Sequence, residues 1–310
     1  MNFTSKQIWL INYPVMMSVL VEQLINITDA IFLGHIGETE LGASAIAGMY
    51  YLSLYILGFG FSLGLQVMIA RRNGERRPAE TGKVFFQGLF FLTTLAISLV
   101  TLSKVFTPFI LQHLLTSTEI YEAVIQYLDW RTFGLFFAFP MLAFRAFFVG
   151  ITKTRVLTAS AITLASMNVL LNYLLIFGAG KIPALGISGA AMASTISELG
   201  GLFVLVIYTR FKIDKRHYGL FPVFNQRLMG QLFRLSVWSM MHSFISVTPW
   251  FLFFILIEHL GITQLAIANI IRSISTIFFV IVSSFSTTTG SLVSNLAGAG
   301  ERNQPSRIPT

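Results

Sequence analysis

His35-Ile-Gly-Glu-Thr-Glu-Leu41 closes one long apolar run and opens another, and His259-Leu-Gly-Ile-Thr-Gln-Leu265 does the same near the far end of the chain. The echo continues past the following run, where Asn73-Gly-Glu-Arg76 is answered by Ala299-Gly-Glu-Arg302. Apolar composition alone does not fix where His, Gly and Thr fall. Matched punctuation at both ends of a long run therefore indicates a duplicated unit whose second copy begins late in the sequence.

Apolar residues make up 55% of the 310-residue chain and charged residues only 11%, about half the charge of an ordinary water-soluble domain. The solvent implied is lipid. Runs long enough to cross a bilayer as helices, about 20 residues each, fall near 9–34, 41–70, 84–107, 121–150, 156–178, 186–209, 232–257 and 265–296. No segment shows the ten-residue apolar/polar alternation of a membrane barrel, and helices satisfy their own backbone groups, as lipid requires. An all-α integral membrane protein of eight spans is the expected fold. The first run is too long for a cleaved signal sequence and lacks a small-residue cleavage site, so it is expected to stay as the first span.

The net charge of +8 is explained by where the cations sit. Lys6, the cluster from Arg71 to Lys83, Lys153 with Arg155, and the group from Arg210 to Arg227 occupy alternate connections, with Lys104 and Lys181 the main exceptions. By the positive-inside rule those connections face the cytoplasm, and so do both termini. The basicity thus reports topology in a multi-pass protein of the cell membrane, inner or plasma, and not a nucleic-acid partner. The absence of cysteine excludes disulfides, thiolate metal sites and cysteine catalysis.

The longest polar connection holds Lys212-Ile-Asp-Lys-Arg-His-Tyr218 and lies where the repeat restarts. Three segments follow: a six-helix lobe over 1–210, a cytoplasmic linker over 211–230, and an incomplete second lobe of two helices over 231–310. Each lobe begins on the same side, so the repeats are parallel.

Ionisable groups inside spans are the functional candidates, because charge at bilayer depth is costly unless it faces a cavity or a partner. In the first span Glu22, Asn26 and Asp29 stand at i, i+4 and i+7, which a helix places within about 60° of one another. Asn168 and Asn172 form a second stripe at i and i+4 in the fifth span. These stripes can coordinate an ion or can serve as polar contacts between helices. The small-residue run Gly186-Ile-Ser-Gly189-Ala-Ala-Met-Ala-Ser194-Thr195 suits close helix packing. Glu198 is either a cavity acid or the partner of an arginine.

Arg145 lies near enough to its span end to snorkel toward the surface, whereas Arg272 lies deeper and calls for an acidic partner. His35 and His259 lie at outer span ends, where polar residues are ordinary, whereas His242 lies in the seventh span, where a lone histidine can titrate but more often satisfies a local hydrogen bond. Pro14, Pro140 and Pro249 interrupt helices and favour kinks.

These residues resemble the multidrug and toxic compound extrusion (MATE) transporters. The likeness is carried by Pro14, by Thr28-Asp29-Ala30-Ile31-Phe32-Leu33-Gly34-His35-Ile36-Gly37, by Gly150-Ile-Thr-Lys-Thr-Arg155, by Asn168 to Asn172 with Gly178, and by Leu185-Gly-Ile-Ser-Gly-Ala-Ala191. The resemblance implies a twelve-helix fold of two six-helix lobes, here the complete first lobe and the first two helices of the second. It also implies an antiporter, not an enzyme, exporting amphipathic organic cations or drugs in exchange for H+ or Na+. No cofactor is implied. Carried over by position, Asp29 is the cation-coupling aspartate, Asn168 and Ser194 belong to the same site, and Pro14 is the hinge of the first helix. Glu22 and Asn172 complete the coupling set, Asn26 and Glu198 face the substrate cavity, and any Na+ is held at Asp29 and Asn168.

Two positions depart from the family pattern: Asn172 stands where the proton-coupled branch has aspartate, and Ser246 stands near the place of the sodium-coupled branch's seventh-span glutamate. The coupling ion, H+ or Na+, stays open. Length is the third departure. The chain turns polar over Gln304 to Thr310 after the eighth span, as a truncated gene, a frameshift or a cropped sequence would. Two other functions follow as alternatives. A lipid-linked saccharide flippase of the same superfamily needs a basic cavity, where the first-span stripe is acidic; an inactive transporter fragment needs only the missing spans. An intramembrane enzyme would need His-Glu-x-x-His or an Asp-rich site, and the sequence has neither.

Overall fold

The computed structural model describes residues 5–178, 180 and 183–299; Gly300 to Arg302 of the second punctuation mark, the tail to Thr310 and Lys181 lie outside them. Nine α-helices are formed among the described residues: α1 (Ser5–Gly34), α2 (Glu38–Gly74), α3 (Pro78–Leu114), α4 (Thr118–Arg131), α5 (Leu135–Gly150), α6 (Arg155–Ile176), α7 (Gly186–Lys212), α8 (Gln226–Glu258) and α9 (Ile262–Gly298). A 3-10 turn over Thr132–Gly134 joins α4 to α5, so these two helices make one column across the bundle. The eight expected spans are therefore eight helical columns. Seven of them, from α1 to α8, are long and apolar enough to cross a membrane. The chain is a multi-pass, all-helical membrane protein.

Local chemistry sets the helix ends. The Ser117 hydroxyl accepts the Ile120 amide to cap α4, and the Asn225 side chain accepts the Leu228 amide to cap α8, each satisfying a donor the helix leaves free. Pro78 opens α3, where its missing N–H costs nothing. His35 and His259 each bond through Nδ1 to the carbonyl four residues earlier.

Two buried clusters fill the bundle. One centres on Phe61, Phe139, Phe147 and Phe148, with α2, α3 and α5 contributing most of its residues. The other joins Leu33, Ile46, Leu111, Ile120 and Ile176 nearer the opposite end. Phe61 stacks on Phe91 at 4.0 Å between ring centroids, while Phe109, Phe203 and Phe211 point outward. Phenylalanine therefore faces both core and lipid, and hydropathy does not separate the two.

The three basic connections meet at one end of the bundle. The Gly82 amide donates to the Tyr218 carbonyl, and Lys153 Nζ lies 5.1 Å over the Tyr218 ring. The segment expected as a linker is trimmed by helix at both ends, leaving residues 213–225 as loop. That loop is anchored: Tyr218 and Leu220 are buried, and the Gln87 side chain donates to the Val223 carbonyl and accepts the Asn225 amide.

The repeat is visible as geometry. α2 and α9 lie side by side and run in the same direction, Thr263 donating to Glu38 at one end and Asn73 to Asn295 at the other. At that second end Gly74 sits against the Asn295 carbonyl and Gly298 against the Arg71 carbonyl, so close that a Cβ on Gly74 would lie 2.0 Å from that oxygen and one on Gly298 2.2 Å from its own. The contact is reciprocal, each glycine meeting a carbonyl of the other helix. α8 packs along the same helix α2 with its chain reversed, Ser236 against Gly64 and Met240 against Gly60.

Candidate functional site

Three helices converge on Asp29. α1 is held on α6 near Pro14, where Thr154 donates to the Ile11 carbonyl and Thr158 to the Pro14 carbonyl. α6 is held on α7 by Ser160 donating to the Gly201 carbonyl at 2.8 Å. These contacts bring the α1 and α6 stripes face to face.

The result is a closed ring of hydrogen bonds. Asn172 Nδ2 donates both to Asp29 Oδ1 and, at 3.0 Å, to Asn168 Oδ1. Asn168 Nδ2 donates to Ser194 Oγ at 3.1 Å, and Ser194 Oγ donates to Asp29 Oδ2 at 3.2 Å. Asn168 and Asn172 are fully buried. Four of the five coupling candidates are thus one unit; the side chain of Glu22 lies outside the described residues. Asn172 Oδ1 is buried and accepts nothing. Together with the Asp29 carboxylate and the Ser194 hydroxyl it provides hard oxygen donors of the kind that hold Na+, or a carboxyl that can take a proton.

Asp29, Asn168 and Ser194 of the ring line a cavity of about 280 Å³ between α1, α2, α4, α5, α6 and α7. Asn26 opens onto it, bonded to Gln23 within its own helix. Pro14 lies inside α1, which is helical on both sides of it.

Glu198 takes the arginine-partner role. Its Oε1 lies 2.7 Å from Arg131 Nη2, both side chains are largely buried, and the Tyr51 hydroxyl donates to the same carboxylate at 3.2 Å. The guanidinium also stacks 3.7 Å over the Tyr51 ring, adding a cation–π attraction. Gly134 in the 3-10 turn has no side chain because Arg131 Nη1 and Glu198 Oε2 occupy that space. Arg131 was legible as a charge midway along an apolar column, but the reading of the spans singled out only Arg145 and Arg272.

Both of those arginines line the cavity. Arg145 therefore turns inward instead of snorkelling to the surface, since α5 is covered by α2, α3 and α7 on its flanks. For Arg272 the expected acid is absent among the described residues. Its Nη2 donates to Asn269 Oδ1 at 2.9 Å, its guanidinium lies 5.7 Å from the Phe254 ring centroid, and its Nε is buried without a partner. The acidic first-span stripe does not make the cavity acidic: Arg131, Arg145 and Arg272 share it with Asp29 and Glu198.

Comparison with known proteins bears on the family and the fold. The MatE family profile matches residues 14–174. A probable multidrug resistance protein NorM from Agrobacterium fabrum is 26% identical over 272 residues, covering 86% of this chain and 58% of its own length. A MOP superfamily transporter from Pyrococcus furiosus, described as having a binding pocket of reverse polarity, superposes with a TM-score of 0.82 at 20% identity over 95% of this chain and 65% of its own. The eukaryotic MATE transporter AtDTX14 gives a TM-score of 0.81 at 21% identity, covering 96% and 66% of the two chains. The chain thus spans less than two thirds of the length of these relatives.

Proposed function

The chain belongs to the MatE family, and from that premise we propose that it acts in cation-coupled export of small amphipathic molecules, organic cations and drugs among them, across the cell membrane. The observation that carries the reading is the hydrogen-bonded ring of Asp29, Asn172, Asn168 and Ser194, which meets the cavity through Asp29, Asn168 and Ser194. An ion at Asp29 and a substrate in the cavity share one wall. Filling one changes the charge met by the other, which is the condition for exchange.

In this reading Asp29 accepts H+ or Na+, and Asn168, Asn172 and Ser194 orient its carboxylate. The orphan oxygen of Asn172 supports an ion bound through several oxygens. Residues 1–210 form the ion-binding lobe, 211–230 the linker, and 231–310 the start of a parallel second lobe. Pro14 is the point at which α1 bends between states. Clustering of the basic connections supports placing that end, and both termini, in the cytoplasm.

The test is export of a cationic dye from proteoliposomes under an imposed H+ or Na+ gradient. Dye movement should follow one of the two gradients and fall at least tenfold in Asp29→Asn, with the protein still folded. Full gradient-driven export by Asp29→Asn would sink the proposal.

A further inference from the structure

Arg272 is the cavity-lining residue that comes from α9, whereas the other side chains of the cavity wall belong to α1, α2, α4, α5, α6 and α7. Its surroundings give it no counter-charge among the described residues. α9 contains no acid from Ile262 to Gly298, and the one acid of α8, Glu258, is bound to Thr116 and Ser117. On the cavity wall Glu198 is paired with Arg131, and Asp29 is held in its ring.

The guanidinium is nonetheless oriented. Asn269 accepts from Arg272 Nη2 and donates its own amide to the Leu41 carbonyl at 3.3 Å, so α2 fixes the asparagine that fixes the arginine. Phe254 lies beside the guanidinium, and Nε remains a buried donor with no acceptor. Arginine stays charged in any protein setting. A buried cation without a counter-charge is unfavourable, and a ligand that brings an anionic oxygen pair to the guanidinium supplies the missing charge through the two-pronged geometry guanidinium favours.

We propose that Arg272 is the anion-recognising group of the transport cavity, and that the preferred substrates are amphiphiles bearing a carboxylate or similar anionic group, zwitterions rather than simple cations. This rests on the export function proposed above and narrows its substrate class. The anionic end meets Arg272, the cationic end lies toward Asp29, and the apolar body lies between them along Tyr55, Met141 and Leu142. Because Arg272 alone among the lining residues rides on α9, a zwitterion bound this way ties the two repeats together.

The test uses a matched dye pair, the cationic ethyl ester rhodamine 6G and its zwitterionic free acid. Binding is followed by fluorescence anisotropy to the full chain in phosphatidylcholine nanodiscs without any ion gradient, so that it reads recognition and not coupling. The unaltered protein should bind the free acid about tenfold more tightly than the ester, the size of one charge-assisted contact. Arg272→Gln should abolish that preference and Arg272→Lys retain part of it. The acid-to-ester ratio is taken within one sample, so a smaller folded fraction does not alter it. Asp29→Asn should leave the ratio unchanged while stopping gradient-driven flux, which separates failure of recognition from failure of coupling. Addition of phosphatidylglycerol should not displace the free acid. An ester preference, binding of neither dye, an unchanged ratio in Arg272→Gln, or displacement by phosphatidylglycerol overturns the proposal.

Discussion

Asn172 donates its amide to the carboxylate of Asp29, 143 residues away in sequence, while its own Oδ1 is buried and accepts no hydrogen bond. The asparagine is thus satisfied as a donor and unsatisfied as an acceptor. A group left in that condition destabilises the fold by about 1–3 kcal/mol.

Asn172→Leu tests this directly. The substitution keeps the branching of the side chain and removes the orphan oxygen, but it also strips Asp29 and Asn168 of a donor. Thermal unfolding in detergent should register a loss of no more than about 1–3 kcal/mol, that of a lost buried donor, whereas ion-coupled flux should fall at least tenfold. A large loss of stability with intact coupling would assign Asn172 to packing alone.

The buried pair between Arg131 and Glu198 should behave asymmetrically. Arg131→Met removes the cation that lies 2.7 Å from the buried Glu198 carboxylate, and should destabilise by about 3–5 kcal/mol. Adding Glu198→Leu should recover most of that loss. If the double variant unfolds no later than the single one, Arg131 contributes through its packing on Tyr51 instead.

Because the chain has no cysteine, the α2–α9 contact is open to clean cross-linking. Asn73→Cys with Asn295→Cys and Glu38→Cys with Thr263→Cys join side chains that touch at opposite ends of the two helices. Both pairs should link with a short bifunctional thiol reagent, a result read on a denaturing gel after cleavage between Lys212 and Gln226. Locking either end should suppress export, and reversing the link should restore it.

Glu258 accepts from the Thr116 hydroxyl at 3.0 Å and the Ser117 amide at 3.0 Å, and it is almost fully buried. Glu258→Ala leaves those donors unmet, so a loss of about 1–3 kcal/mol is expected. Hydrogen exchange should quicken first in the α3–α4 connection. Uniform quickening along the chain instead would show that the contact supports the whole bundle.

Much of this molecule was legible in one dimension. Composition identified the solvent, and the eight runs became eight helical columns, because a helix in lipid must satisfy its backbone within a single segment. The matched punctuation at His35 and His259 became the parallel pair α2 and α9 because it marks helix ends, which are local features. Asp29, Asn168 and Asn172 were found because helical periodicity puts i, i+4 and i+7 on one face whatever that face meets.

What faced what was decided only by packing. Glu198 could be a cavity acid or an arginine's partner until α4 and α7 brought Arg131 to within 2.7 Å of it. Arg145 could snorkel or turn inward until α5 was covered by its neighbours, and Arg272 stood in the sequence as a cation awaiting an acid that α8 and α9 did not supply. In water, burial leaves an apolar stripe that reveals the inner face of a helix. In lipid both faces are apolar, so the sequence marks the charged side chains, and only the tertiary structure determines which of them share a cavity.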